Sequence, residues 1–288
     1  MRPPFLVITP VCIFLGASLA IANGTPISFV TLFIVLVGGL AAHISVNTLN
    51  EYHDYKSGLD TETVKTPFSG GSGALPDNPE AAEQVLSLGI ATLVLTVTVG
   101  LHLVQMHGLA LIPIGFLGVI IVATYTPWIN RNPFICLIAP GLGIGVLMVL
   151  GSHLIFSQTG LTEQIWLITA VPFFLINNLL LLNQFPDIEA DRKNGRKHLP
   201  VRYGEKAAST VYLIFVLMAG ITIIAGIHLT HLPQASYIAL LPLAAALFAY
   251  KGSLAYPRDA ERLIPYLASN VAAAVITPFV LGLTIIFG

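Results

Sequence analysis

Six oxygen-bearing side chains fall at helical spacing in two short polar stretches. In residues 50–60 (NEYHDYKSGLD), Asn50 and Asp54 lie four apart, and Asp60 follows after a short loop. In residues 183–204 (NQFPDIEADRKNGRKHLPVRYG), Asn183, Asp187 and Asp191 repeat the four-residue step. Side chains four apart on a helix share a face, so Asn50 and Asp54 point together. The second alignment depends on Pro186, because a proline inside a helix kinks or breaks it. Grouped carboxylates are costly unless cations load them. Oxygen-only clusters suit Mg2+, which keeps several waters and shares its other positions between carboxylates and substrate phosphates. The basic residues just after Asp191, Arg192 among them, would take up the remaining charge of a diphosphate. The bland alternative is a solvated loop that neutralises itself. It suits Glu189, Lys193, Glu205 and Lys206 better than it suits four acids in two matched clusters.

The rest of the chain must hold these clusters in place, and it is strongly apolar. Of 288 residues, 55% are hydrophobic and 9% charged, with mean hydropathy +0.83; an ordinary soluble domain carries about 25% charge. Apolar runs of roughly twenty residues match the length needed to cross a bilayer. The expectation is an all-α, polytopic membrane protein with nine spans: residues 4–22, 27–52, 80–105, 108–125, 135–156, 164–185, 206–228, 234–250 and 262–287. The first could instead be a signal peptide, with one arginine, an apolar stretch and then Ala20 and Ala22. Its length, and the second run that follows at once, favour a span. No linker divides the chain, so 1–288 reads as one domain.

Charge is one-sided. With nine spans, the N-terminus and the loops after spans two, four, six and eight share a side. All 13 Lys and Arg, from Arg2 to Arg262, fall there, as do 13 of the 14 acids; Glu163 alone lies opposite. The positive-inside rule makes that side cytoplasmic. One helix more or fewer would scatter the charges. Acids that gather at helix ends on one face argue against an ion-coupled transporter, which needs them near helix centres.

Other features carry less. Net charge is −1, which makes a nucleic-acid partner unexpected. Cys12 and Cys136 sit inside apolar runs and suggest neither a disulfide nor a metal site. The eight histidines lack ligand spacing, and only His53 lies within a cluster. Tyr52, Tyr125, Trp128 and Tyr203 fit an interfacial aromatic belt. Gly141, Gly143 and Gly145 fit close helix packing better than phosphate binding. The glycine-rich run at residues 69–73 lacks the Gly-Lys-Ser/Thr ending of a phosphate loop.

These residues resemble the UbiA superfamily of intramembrane prenyltransferases over nearly the whole chain. One common form of the family's first motif, Asn-x3-Asp-x5-Asp, is met by Asn50, Asp54 and Asp60. Its second, Asp-x3-Asp, is met by Asp187 and Asp191. The context is most similar to the branch that prenylates 1,4-dihydroxy-2-naphthoate for menaquinone, where the residue after the first Asn is commonly Asp; here it is Glu51. Tyr125-Thr126-Pro127 is similar to a Tyr-Thr/Ser-x-Pro element. The charged residue expected near the fifth span is missing from it, and Arg131 could stand in.

The resemblance implies nine helices around a central cavity open sideways to lipid. It implies Mg2+-dependent transfer of a polyprenyl group from polyprenyl diphosphate to a small aromatic acceptor. Asp54, Asp60, Asp187 and Asp191 would be the catalytic acids and, with Asn50, the metal ligands. Asn50, Lys65, Tyr125, Arg131, Asn183, Arg192, Lys197 and Arg202 would contact substrate. Polyprenyl diphosphate, the acceptor and membrane lipid are the implied partners. The setting would be a bacterial or archaeal cell membrane, with the site toward the cytoplasm. A hydroxybenzoate, a homogentisate-type ring, a porphyrin alcohol or a lipid glycerol remain alternative acceptors. A lipid phosphotransferase would carry a compact Asp-Gly…Ala-Arg…Gly…Asp…Asp signature, which is absent.

Overall fold

The computed structural model describes residues 3–63, 65–157 and 159–288; Arg2, counted above among the basic residues, lies outside them. Every element among the described residues is helical. We number the long rods α1 (Ile8–Ala22), α2 (Phe29–Lys56), α3 (Ala82–His107), α4 (Leu111–Thr124), α5 (Pro133–Phe156), α6 (Glu163–Asn183), α7 (Glu205–His228), α8 (Gln234–Ala255) and α9 (Ala260–Phe287). Eight of these segments, counting α1 with the 3-10 turn before it, are long and apolar enough to cross a membrane. The ninth rod, α4, is apolar but shorter, so the count of nine spans is approximate. α4 has 14 residues, about 21 Å of rise against a core of about 30 Å.

Local sequence sets the ends. Ser28 caps α2 by accepting from the Thr31 amide, Asn132 caps α5 through Phe134 and Ile135, and Asp259 caps α9 through Arg262. Pro140 lies inside α5, and a π-helical segment, Gly141–Leu147, follows it. A proline removes one backbone donor and crowds the preceding turn, which widens the helix locally. The Gly141 amide instead donates to Asn177 Oδ1 of α6 at 2.6 Å. Gly141 and Gly145 press against the α6 backbone near Phe173 and leave no room for a Cβ, whereas Gly143 faces a cavity. The packing expectation holds for two of the three glycines.

α1 and α6 are the most enclosed rods. α1 packs against α5 and α9, with Cys12 and Leu15 fully buried and Gly16 against the Val149 carbonyl. It therefore packs as part of the bundle core. α3 lies at the periphery, its apolar side chains facing outward.

The loops after α2, α4, α6 and α8 touch one another at one end. Lys193 pairs with Glu62 at 3.5 Å, the Lys197 amide donates to the Asn130 carbonyl at 3.1 Å, and Arg258 pairs with Glu189 at 3.4 Å. The loops after α5 and α7 meet at the other end, where His231 reaches Glu163 at 3.3 Å. The charge asymmetry of the sequence is thus a physical clustering of four loops.

Candidate active site

The charged end of the bundle encloses a small polar cavity of about 80 Å³. Asn50, Asp54, Asp60, Asn183, Asp187 and Asp191, all six oxygen-bearing candidates, line it, and Tyr125 closes one side. The cavity adjoins, across Asn50, Asp54, Asp60, Tyr125 and Asn183, a deeper chamber of about 270 Å³. That chamber shares Ala42, Thr96, Val119 and Met148 with a third space of about 450 Å³ between α2, α3, α4 and α5. Lipid-facing side chains such as Leu101 and Phe116 rim this third space. A polar mouth therefore leads into an apolar tract that reaches the outside of the bundle.

Each acid is placed by a different local device. Asp54 lies in the last turn of α2, where Asn50 Nδ2 donates to it at 2.9 Å. Asp60 opens the short helix Leu59–Glu62 after Gly58, whose φ of +82° permits the reversal. Gly71 rests on the Asp60 carboxylate with φ +73°, so a Cβ there meets both strained backbone and occupied space. α6 ends at Asn183 and does not continue through Pro186; Asp187 starts a new helix, Ile188–Lys193. The expected kink is a full break. Asp191 stays in step nonetheless, because its amide donates to the Asp187 carbonyl at 2.8 Å. The glycine-rich loop closes over this cluster, with the Gly70 amide donating to Asp187 Oδ2 at 3.0 Å and Ser72 Oγ donating to Glu51.

Two residues outside the candidate set join the clusters. Arg196 donates to Asp54 of the first motif and, at 3.1 Å, to Asp191 Oδ1 of the second. His198 Nε2 lies 2.6 Å from Asp191 Oδ2. Gly195, at φ +75°, turns the chain back so that the Arg196 amide reaches the Asp191 carbonyl at 3.0 Å. Burial alone would lower the Arg196 pKa; the Asp54 and Asp191 carboxylates outweigh it and hold the guanidinium above its ordinary value. The signal in the sequence was Gly195 immediately before the basic pair Arg196–Lys197, but direction after such a turn is not readable from spacing.

The other candidate cations lie outside the cavity. Lys65 pairs with Asp77 at 3.3 Å on the rim, and Arg192 pairs with Glu189 at 3.0 Å. Arg131, Lys197 and Arg202 are exposed. Arg196, and not Arg131, is the arginine that lines the polar cavity. Two histidines that spacing left unassigned, His43 and His198, are buried against cavities.

The donor set fits a divalent cation of the Mg2+ kind. The side chains that would hold it, Asn50, Asp54, Asp60, Asp187 and Asp191, all offer oxygen and line one cavity. Among the described residues no three His, Cys, Asp or Glu side chains converge tightly enough to hold an ion by themselves. Mg2+ needs only one or two carboxylates when phosphate oxygens and waters complete its shell.

A model of the UbiA prenyltransferase family matches residues 10–284. The chain is 31% identical over 215 residues to the 1,4-dihydroxy-2-naphthoate octaprenyltransferase of Bacillus subtilis (strain 168), covering 73% of this chain and 66% of that protein. It is 29% identical over 297 residues to the Escherichia coli (strain K12) protein of the same name, covering 98% and 93%. A UbiA homolog from Aeropyrum pernix K1, in its apo structure, superposes with TM-score 0.72 at 16% identity over 100% of this chain and 98% of that one. A UbiA homolog from Archaeoglobus fulgidus, bound to DMAPP and Mg2+, superposes with TM-score 0.57 at 17% identity over 100% and 99%.

Proposed function

The chain belongs to the UbiA prenyltransferase family, and on that premise we propose that it transfers a polyprenyl group from polyprenyl diphosphate to 1,4-dihydroxy-2-naphthoate. The whole chain acts as one domain, and its site faces the cytoplasm of a bacterial or archaeal cell membrane. The observation that carries this reading is the convergence of both carboxylate motifs on one polar cavity that opens into a long apolar tract. The names of the Bacillus and Escherichia relatives support the acceptor. The Archaeoglobus complex supports a prenyl diphosphate and Mg2+.

Asn50, Asp54, Asp60, Asp187 and Asp191 would hold Mg2+ with the diphosphate between the motifs. When bound, the metal supplies charge stabilisation of the departing diphosphate. The chain's own residues do the rest. Arg196 offers a guanidinium fork of the kind that matches phosphate oxygens. The Gly70–Gly71 backbone covers the acids and excludes water from the mouth. Val119, Ile144, Met148 and Ile176 keep the deeper chamber dry, which protects an electron-poor allylic carbon from hydrolysis. The apolar space between α2 and α5 takes the isoprenoid tail. Lys65, Arg131, Arg192, Lys197 and Arg202 form a basic rim that draws the anionic substrate to the mouth.

The test is a transfer assay in liposomes with labelled polyprenyl diphosphate and a panel of hydroxy-aromatic acceptors, with Mg2+ or with EDTA. One prenylated acceptor, formed only with Mg2+, is expected. Diphosphate binding without transfer to any ring would sink the acceptor; neither binding nor transfer by folded protein would sink the reading.

A further inference from the structure

α2 carries a polar stripe that runs inward past the metal motif. His43, Asn47, Asn50 and Asp54 follow at steps of four, three and four, which is one helical face. All four line the 270 Å³ chamber. At 1.5 Å per residue, Asn47 lies about 10 Å below Asp54 and His43 about 16 Å below it. These are costly residues to place in the hydrocarbon layer without partners. His43 is 4% exposed and its ring is set by Thr9 Oγ1, 2.8 Å from Nδ1. Nε2 makes no hydrogen bond among the described residues. Asn47 Nδ2 is buried with no partner. Across the chamber, on α6, Asn183 is 6% exposed and its Oδ1 also has none.

The geometry points to this stripe as the recognition site for the polar groups of the aromatic acceptor, with His43 and Asn47 as its specificity-determining residues. An assignment of this kind rests on the aromatic-acceptor reading above. Asn47 offers a donor and Asn183 an acceptor on facing helices. A planar hydroxy-aromatic acid presents the complement: hydroxyl groups that both donate and accept, and a carboxylate that accepts. A ring held between them lies just beneath the polar mouth, where the allylic C–O bond of a bound diphosphate must sit, because Asn183 lines both spaces. His43 then receives a hydroxyl at the far edge of the ring. The neighbouring 450 Å³ space offers no amide, imidazole or charged side chain, so it takes the tail and leaves the stripe to the ring. Sites that hydrogen-bond a substrate hydroxyl reject analogues lacking it far better than apolar pockets can.

The test compares Asn47→Leu, His43→Leu and the conservative His43→Gln with wild type. Three quantities are read: acceptor KM, prenyl diphosphate KM, and the Kd of the hydroxynaphthoate alone measured by fluorescence in detergent. Acceptor KM and Kd should rise at least about tenfold in both leucine variants, the equivalent of one lost hydrogen bond to a charged or buried group. Prenyl diphosphate KM should change less than about twofold, and His43→Gln should recover part of the loss. Asn47→Asp should reject carboxylate-bearing rings while still accepting a neutral hydroquinone. Unchanged acceptor KM and Kd in both leucine variants overturn the assignment, as does a joint rise of both KM values, which marks a collapsed chamber. If wild type itself binds and prenylates no aromatic ring, the functional reading above is what fails, and the stripe falls with it.

Discussion

Two groups of polar side chains are buried inside this bundle, and they differ in one respect. On α6 to α9, Asn178 Nδ2 donates to the Tyr212 carbonyl at 2.8 Å, Tyr212 Oη donates to Asn270 Oδ1 at 2.8 Å, and Asn270 Nδ2 donates to the Asn178 carbonyl at 3.0 Å. That network ties α6, α7 and α9 together and leaves only Asn178 Oδ1 of its side-chain atoms without a partner. On α2 the polar face instead opens into a cavity, and the partners it has come from elsewhere in the chain: Arg196 reaches Asp54 from the loop after α6, and Thr9 of α1 holds His43. Buried polarity that closes serves the fold; buried polarity left facing a cavity is where chemistry belongs.

Substitutions can break this contrast from either side. The largest effect is expected on the open face: Asp54→Ala or Asp187→Ala should lower transfer by roughly 10²–10³-fold or more, with the detergent melting temperature little changed for Asp187→Ala and lowered for Asp54→Ala, which takes one of two carboxylates from Arg196. Full activity in both would end the two-motif account. Removing the metal with EDTA should abolish transfer to a similar degree and leave the protein folded, since Arg196 still joins Asp54 to Asp191; a large fall in melting temperature would mean that the cation, not Arg196, holds the mouth together. Arg196→Ala should cost both activity and stability, up to about 3–5 kcal/mol, because it strips a cation from two buried carboxylates. Arg196→Lys should restore stability more than activity, since lysine keeps the charge and loses the fork. On the closed network, Tyr212→Phe should cost about 0.5–1.7 kcal/mol and leave kcat of the folded protein alone; a loss of kcat would show that the two regions are coupled. The smallest effect is expected at the rim, where Arg131→Ala and Lys197→Ala should change stability by less than about 0.5 kcal/mol and raise prenyl diphosphate KM modestly, more at low salt than at high.

Gly71→Ala sharpens the open side further. Positive φ costs an alanine about 1–3 kcal/mol, and the added methyl would displace the Asp60 carboxylate. Transfer should fall by more than the stability loss explains, and a variant that melts lower yet transfers normally would show that Asp60 tolerates movement.

Much of this was legible in the residues themselves. Helix composition and length marked the spans, and only the shortness of α4 was hidden, because the turns around it are as apolar as the helix. The one-sided charges fixed which loops meet. The oxygen-bearing residues of the two motifs were found because spacing on a helix dictates a shared face, and even the break at Pro186 left Asp187 and Asp191 four residues apart in one short helix. What spacing could not decide was everything that depends on how loops fold back. Four basic residues close to the motifs in sequence, Lys65, Arg192, Lys197 and Arg202, point to the rim, while Arg196 enters the cavity because Gly195 reverses the chain. His43 and Asn47 read as ordinary residues of an apolar helix until the chamber beside them was in view. A helix face is a local property of the chain, set by 3.6 residues per turn; whether that face meets a neighbour or an empty space is set by the packing of rods distant in sequence, and only the tertiary structure contains it.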